Sequence, residues 1–228
     1  MRREWAAVAG LAVVLSLSGC AAAPQGDALY RDGEKRFLET ATRLHTVLMG
    51  IHEGVWTVDE YGAIPHSCTM GFGGPYGYAF SYRRSVELPE MDAAQVGAAT
   101  VAAFGEAGLE VAPITSGTGS QEDWTVIADD ETVGNVVATI RPSEGRVEVS
   151  VDTPCTLGDA GDLSAMVSAE DERGNDTLTW RYLPATEGPG SVPQFYFPPG
   201  SPAYVTEDGT LVEPQPNVTE PPKAPYGD

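Results

Sequence analysis

The sequence predicts an α+β domain, a two-layer sandwich in which a mainly antiparallel sheet carries two helices on one face. Three observations favour this fold class. Two segments have the apolar spacing of amphipathic helices, and several others are strand candidates separated by turn residues, two of them with clear alternation of residue types. Two cysteines lie near the two ends of the strand series, and a long proline-rich segment that predicts a disordered C-terminal tail follows them.

The first predicted helix carries a single apolar stripe. Phe37, Ala41, Leu44 and Leu48 recur at intervals of four, three and four residues, which places them on one face of a helix of about five turns. Gly50 marks its predicted end. Because this stripe has to pack on an apolar surface and the segments that follow resemble strands, we expect the helix to lie across a sheet.

The next two segments are both predicted to form strands, the first irregular and the second regular. Residues 54–70 are interrupted by Gly62 and Pro65, which favours a short, irregular strand at a sheet edge. From residue 78 to residue 88, large apolar side chains alternate with small or polar ones, as in a half-buried strand.

The second predicted helix has the clearest boundaries. Asp92 is placed to cap its N-terminus, and Gln95 stands at the third helical position of a capping box. Met91 and Val96 have the spacing of a hydrophobic staple, and Gly108 follows the last turn, where a left-handed residue is common. The small residues of 93–107 predict close packing on the sheet.

Four further strands are predicted at 109–115, 124–128, 133–140 and 146–151. Residues 142–145 have turn chemistry, so the last two of these strands are expected to form an antiparallel hairpin.

The N-terminus predicts export and lipid attachment. Arg2 and Arg3 precede an apolar run over 6–17 that is too short to span a bilayer stably as a helix. It ends in a bacterial lipobox, formed by Leu17, Ser18, Gly19 and Cys20. We expect cleavage before Cys20 and acylation of its thiol, which would hold the protein in the cell membrane on the extracytoplasmic face. The alternative is an ordinary secretory peptide with a chance cysteine.

The predicted organisation has five parts: a signal peptide at 1–19, a lipidated tether at 20–27, the α+β domain at 28–157, an extension of uncertain structure at 158–183 and a tail at 184–228. The tail contains 11 of the 18 prolines, so we expect it to be acidic and mostly disordered.

The two remaining cysteines, Cys68 and Cys155, form an even pair in an exported chain and therefore predict one disulfide. The alternative is a catalytic thiol that uses a histidine partner.

Charge and motifs exclude several function classes. The chain has 13 basic and 33 acidic side chains, for a net charge of −20, which disfavours nucleic acid, anionic lipid head groups and polyanionic wall polymers. No hydrolase, phosphate-binding or zinc-protease motif occurs. His45 and His52 lack a third ligand for zinc. We therefore predict no catalytic site, metal or cofactor.

One glycine-rich loop has the composition of a binding loop. Its glycines let aromatic rings stand clear of the backbone, and two arginines follow it, so these residues are candidates for stacking on sugars or contacting a partner protein: Phe72, Tyr76, Tyr78, Arg83 and Arg84. The alternative is a connection whose aromatic side chains fold back on the core.

The order of parts resembles a group of small actinobacterial lipoproteins, the LppA-like group, most of uncharacterised function. The shared pattern is a lipobox, an amphipathic helix, a cysteine in an early strand, an alanine-rich helix that ends in glycine, and a second cysteine as in Thr153-Pro154-Cys155. It covers roughly residues 17–157. The resemblance implies the localisation and the fold class.

These features predict a non-enzymatic binding or scaffolding module outside the membrane, with an unknown envelope protein or glycan as partner. The rival is a ligand-carrying lipoprotein with an apolar or glycan pocket between helices and sheet. A closed cavity of several hundred Å³ would favour the carrier, and a filled core would favour the binding module.

Overall fold

The computed structural model describes residues 22–116, 123–168, 183–198, 210, 213 and 218–226, with the backbone alone for 112–116. These residues form an α+β fold, which confirms the predicted class. The helices are α1 (Asp27–Ile51), α2 (Ala93–Glu106) and α3 (Ala160–Ser168). The strands are β1 (Trp56–Glu60), β2 (His66–Thr69), β3 (Tyr76–Ala79), β4 (Ser81–Glu87), β5 (Ala112–Ser116), β6 (Asp123–Asp130), β7 (Gly134–Arg141), β8 (Arg146–Asp152), β9 (Thr156–Leu157) and β10 (Thr186–Glu187).

The described strands form two sheets. The large sheet has the order β10-β1-β4-β8-β7-β6-β5, and every neighbouring pair is antiparallel. The small sheet has the order β2-β3-β9 and is also antiparallel. The predicted strand over 54–70 is therefore divided between the sheets. Its first part, β1, is not an edge strand, because β10 pairs with it.

Alternation along the large sheet separates a core face from an outer face. Val126, Ala138 and Val149 are opposite one another in register and fully buried on the core face, which α2 contacts. The intervening side chains lie on the other face and remain partly exposed. We call this the outer face, and its centre consists of Thr125, Ile127, Val137, Thr139, Glu148 and Ser150.

The two long helices cross at close range. A Cβ atom at Gly50 of α1 would lie 2.6 Å from Cβ of Ala103 in α2, so this glycine permits the contact. Gly50 is still helical, and α1 ends at Ile51 rather than at the predicted glycine. The predicted cap of α2 is confirmed, because the carboxylate of Asp92 accepts hydrogen bonds from the backbone N–H groups of residues 94 and 95.

The predicted disulfide is confirmed. Cys68 and Cys155 are bonded, with an S–S distance of 2.02 Å and a Cα–Cα distance of 5.8 Å. It joins β2 to the residue before β9, so it crosslinks the two outer strands of the small sheet, and it leaves no free thiol at either position for catalysis.

The predicted domain boundary is wrong for the part of 184–228 that the structure describes. Residues 184–198, here called the C-terminal segment, contribute β10 and bury Phe195, Tyr196 and Phe197 in the core. The ring of Phe195 stacks on Phe37 with centroids 5.4 Å apart. The prolines are compatible with this packing, because the segment is extended and prolines in it need no helical hydrogen bonds.

The predicted extension at 158–183 also contributes to the core. Its α3 packs Leu163 and Val167 at 0% exposure, and the backbone N–H of Phe197 donates to the carbonyl of Val167 at 2.8 Å. Gly33 of α1 lies against α3, because a Cβ atom there would be 2.7 Å from a methyl carbon of Leu163. No described helix is both long and apolar enough to cross a membrane.

Candidate functional site

The structure does not bring the five predicted binding-loop residues together. Phe72 and Tyr76 are exposed, at 111% and 80%, but Tyr78 and Arg84 are buried at 1% each. Arg83 points to the outer face and lies 3.8 Å from the carboxylate of Glu148. The loop is therefore divided into an exposed part at residues 69–76, here called the hairpin tip, and residues with structural roles.

The hairpin tip connects β2 to β3. The backbone N–H of Met70 donates to the carbonyl of Pro75 at 3.1 Å, which closes the loop. Gly71 and Gly73 have φ values of 67° and 70°, a conformation that favours glycine. Phe72 stands between them with small neighbours only, so its ring projects into solvent.

The base of the hairpin is fixed by strong contacts. The Cys68 disulfide lies one residue before the tip, and the Tyr78 hydroxyl donates to the carboxylate of Asp32 in α1 at 2.6 Å. Arg36 pairs with the same carboxylate at 3.0 Å. Burial raises the pKa of Tyr78, and the hydrogen bond to Asp32 raises it further, so the phenol stays protonated. The tip is therefore an exposed loop on a fixed base.

A second group of residues forms a buried ion-pair cluster, defined as His45, Tyr82, Arg84 and Glu187. The Arg84 guanidinium donates to Glu187 Oε2 at 2.8 Å, and the Tyr82 hydroxyl donates to the same oxygen at 2.6 Å. Nδ1 of His45 lies 2.7 Å from Glu187 Oε1. The guanidinium also lies 3.7 Å from the centroid of the Tyr82 ring, a cation–π geometry.

The cluster fixes its own charge state. Burial disfavours the carboxylate of Glu187 and would raise its pKa, but the hydrogen bond from His45 and the charge of Arg84, together with Tyr82, outweigh burial and lower the pKa to about 2. Burial raises the pKa of Tyr82 well above its usual value. Glu187 is therefore ionised and Tyr82 protonated at neutral pH. The cluster stabilises the position of β10 against β4 and α1.

The space beside the cluster is too small for a substrate. A cavity of about 20 Å³ is lined by residues that include Phe37, Tyr61, Tyr82, Glu187 and Pro193, and it has room for about one water molecule. A larger groove of about 370 Å³ runs along β1 and is lined by Val58, Ile64 and Leu183, among others. It opens to the surface and does not lie between the helices and the sheet.

Within the described ranges, no group of three or more His, Cys, Asp or Glu side chains is placed to hold a metal ion. His45 binds Glu187 instead of pairing with His52 at a zinc site.

Sequence reasoning missed the ion-pair cluster. The sequence predicts Arg84 as a candidate binding residue that follows the glycine-rich loop, and it places Glu187 in the tail. One signal was available, because Arg84 stands between Tyr82 and Val86 at the inward positions of the β4 alternation. No local signal identified Glu187, which reaches the cluster through pairing of β10 with β1, about 130 residues apart in sequence.

The lipobox residues lie outside the described part of the chain. Leu17, Ser18, Gly19 and Cys20 therefore remain sequence predictions, and the described structure begins two residues after Cys20.

Comparisons with known proteins give little similarity. No family model matches the chain, and no curated protein matches it. Among solved structures, it is similar to the crystal structure of a DUF4853 family protein from Actinomyces odontolyticus, with 15% sequence identity and a TM-score of 0.37, over 57% of this chain and 67% of that one. A similarity of this size establishes neither a common fold nor a common function.

Proposed function

We propose that the protein is a lipid-anchored envelope protein of the LppA-like group. In this proposal Cys20 is acylated and holds the domain at the extracytoplasmic face of the cell membrane. The domain acts there as a non-enzymatic binding or scaffolding module for another envelope component.

The observation that carries this proposal is the filled core. Residues such as Phe37, Leu44, Phe80 and Phe104 are buried at 2% exposure or less between the helices and the sheet. The cavity beside the ion-pair cluster has a volume of about 20 Å³, room for about one water molecule. A carrier needs an enclosed volume of several hundred Å³, so the packing supports a binding module over a ligand carrier.

The outer face of the large sheet is the best candidate for the partner surface. It is partly exposed, and its centre is mostly uncharged, with Ile127 opposite Val137 and Thr125 opposite Thr139. Charged pairs surround this centre, including Arg146 with Asp59 at 3.5 Å. An uncharged centre with a polar rim is typical of protein interfaces. We therefore propose an envelope protein as the partner, with a glycan as the second possibility.

Photo-crosslinking in intact cells tests the partner surface. A benzoylphenylalanine in place of Thr139, at the centre of the outer face, is expected to form a discrete adduct that mass spectrometry identifies. The matched control is the same replacement at Glu39, an exposed position on α1. Equal adducts from both positions, or adducts from Glu39 alone, would contradict the proposed surface.

The lipid anchor is tested separately. Cys20→Ser is expected to move the protein from the membrane fraction to the medium or to leave it as uncleaved precursor. Ser18→Ala keeps a small residue before the cysteine and is expected to remain membrane-bound. A Cys20→Ser protein that matures and stays in the membrane would overturn the anchor.

A further inference from the structure

The hairpin tip is an apolar, uncharged projection on a strongly acidic protein. No charged side chain occurs from residue 67 to residue 82, although the net charge of the chain is −20. Among the large hydrophobic residues that the structure describes, Phe72 and Tyr76 are the two most exposed, and Met70 beside them is 39% exposed. Since both sequence neighbours of Phe72 are glycines, no adjacent side chain covers its ring.

The hairpin and the lipid tether leave the domain at the same end of α1. The hydroxyl of Tyr78 in β3 bonds Asp32, within the second turn of the helix. At Gly158, a Cβ atom would lie 2.5 Å from Leu29 and 3.0 Å from Tyr78, so both side chains meet at this glycine. The first described residue lies only five positions before α1.

The lengths of the tether and of the hairpin allow the lipid anchor and the hairpin tip to contact the same membrane surface. The tether residues 21–26 reach about 20 Å when extended, and Phe72 lies within about 20 Å of Tyr78 at the rise of a strand. The C-terminal end of α1 lies about 36 Å from its N-terminal end. Acyl chains on Cys20 would therefore leave the tip within reach of the bilayer surface, where even weak insertion is favoured by the high effective concentration.

We infer that the hairpin tip inserts into the lipid interface of the membrane that carries the anchor. Phe72 enters the boundary between head groups and acyl chains, and Tyr76 lies at head-group level, where aromatic side chains are favoured. Because the segment carries no charge, insertion desolvates no ion. The two contacts together set the orientation of the domain. This inference rests on the lipid anchor of the proposed function.

Depth-dependent quenching tests the insertion on the full mature chain, produced from the complete sequence in a bacterial host that processes lipoproteins and then mixed with phosphatidylcholine vesicles. Phe72→Trp places a fluorophore at the exposed tip without disturbing the core. Val55→Trp is the matched control, because Val55 is 61% exposed and lies just beyond the opposite end of α1. The emission of each variant is compared in vesicles with and without bromine on the acyl chains, relative to the unsubstituted protein.

Insertion predicts that bromine reduces the added emission of Phe72→Trp by about twofold or more and that this emission is blue-shifted on vesicle binding. The added emission of Val55→Trp is expected to be unchanged. Vesicle flotation separates the two proposals. Protein that floats with no quenching at position 72 overturns the insertion and leaves a protein partner as the occupant of the tip. Protein that does not float overturns the lipid anchor.

Discussion

The hairpin tip and the C-terminal segment have similar compositions and opposite environments. Both are rich in glycine or proline and in aromatic residues, but Phe72 is fully exposed and Phe197 is 1% exposed. The tip closes on itself through a hydrogen bond between Met70 and Pro75, whereas the C-terminal segment is extended and runs along the core. Composition alone does not decide burial.

The difference lies in what the rest of the fold offers each segment. Aromatic side chains of α1 and of the residues just after β1 and β3 leave a surface that Phe195 and Phe197 complete. Phe197 is in edge contact with Tyr61, with ring centroids 5.7 Å apart. Arg84 is buried beside that surface and requires a counter-ion, which Glu187 supplies. The hairpin tip has no such surface within the described part of the domain.

Removal of the C-terminal segment should have the largest effect on stability. A chain that ends at Leu183 loses the aromatic contacts and leaves Arg84 buried without its carboxylate. We expect a loss of more than about 5 kcal/mol, which is most or all of the stability of a typical domain, and no cooperative thermal transition. A chain that ends at Tyr226 is the control and should melt like the full chain. A cooperative transition near the full-chain temperature after truncation at Leu183 would show that the segment is not part of the domain.

The ion-pair cluster provides the next test. Glu187→Gln leaves the Arg84 charge buried without its ionic partner and should lower the unfolding free energy in urea by about 3–5 kcal/mol. The double variant Arg84→Met with Glu187→Gln removes the unpaired charge and is expected to recover a large part of this loss. If the double variant is as unstable as the sum of the single variants, the two side chains do not act as a pair.

Matched aromatic substitutions compare the two segments directly. Phe197→Ala should cost about 3–5 kcal/mol, since it opens a cavity in the core. Phe72→Ala should change the unfolding free energy by less than about 0.5 kcal/mol, as for an exposed side chain. Similar losses of unfolding free energy for the two variants in urea denaturation would contradict the difference in burial between the two segments.

Low pH provides a further comparison of the two segments. The C-terminal segment contains Glu187, whose pKa is lowered to about 2 from an ordinary 4.5, whereas the hairpin tip contains no carboxylate. A lowered pKa stabilises the fold fully above pH 4.5, and this contribution disappears as the pH falls towards 2. Between about pH 5 and pH 2 the wild-type protein should lose on the order of 3 kcal/mol through Glu187. In the Glu187→Gln variant, the unfolding free energy should fall less steeply as the pH falls through this range. An equal pH dependence of the unfolding free energy in the two proteins, measured by urea denaturation at each pH, would contradict this prediction.

The elements that were predictable from the sequence have local signals. The cap at Asp92 and the left-handed Gly108 define both ends of α2. Strict alternation and a turn predict the β7–β8 hairpin, and an even cysteine pair in an exported chain predicts the disulfide. Each depends on residues close in sequence or on a counting rule.

The features that the sequence did not reveal depend on long-range contacts. β10 has two residues, so it has no period of its own, and it is a strand only because β1 is adjacent. The prolines near Phe195 suggested disorder, but a proline-rich segment is ordered when its aromatic residues complete a core. The same limit explains why the sequence predicts Arg84 as a candidate binding residue, since its counter-ion lies 103 residues away.

Hydrogen–deuterium exchange on the full mature chain tests the central contrast most directly. The amides of Val192, Gln194 and Phe197 donate to Val218, Tyr61 and Val167 at 2.8 Å each, so we predict slow exchange for these three amides, governed by opening of the domain. Residues 71–74 at the hairpin tip should exchange within seconds in the same sample. Rapid exchange of the three amides, equal to that of the tip, would contradict the inclusion of the C-terminal segment in the domain.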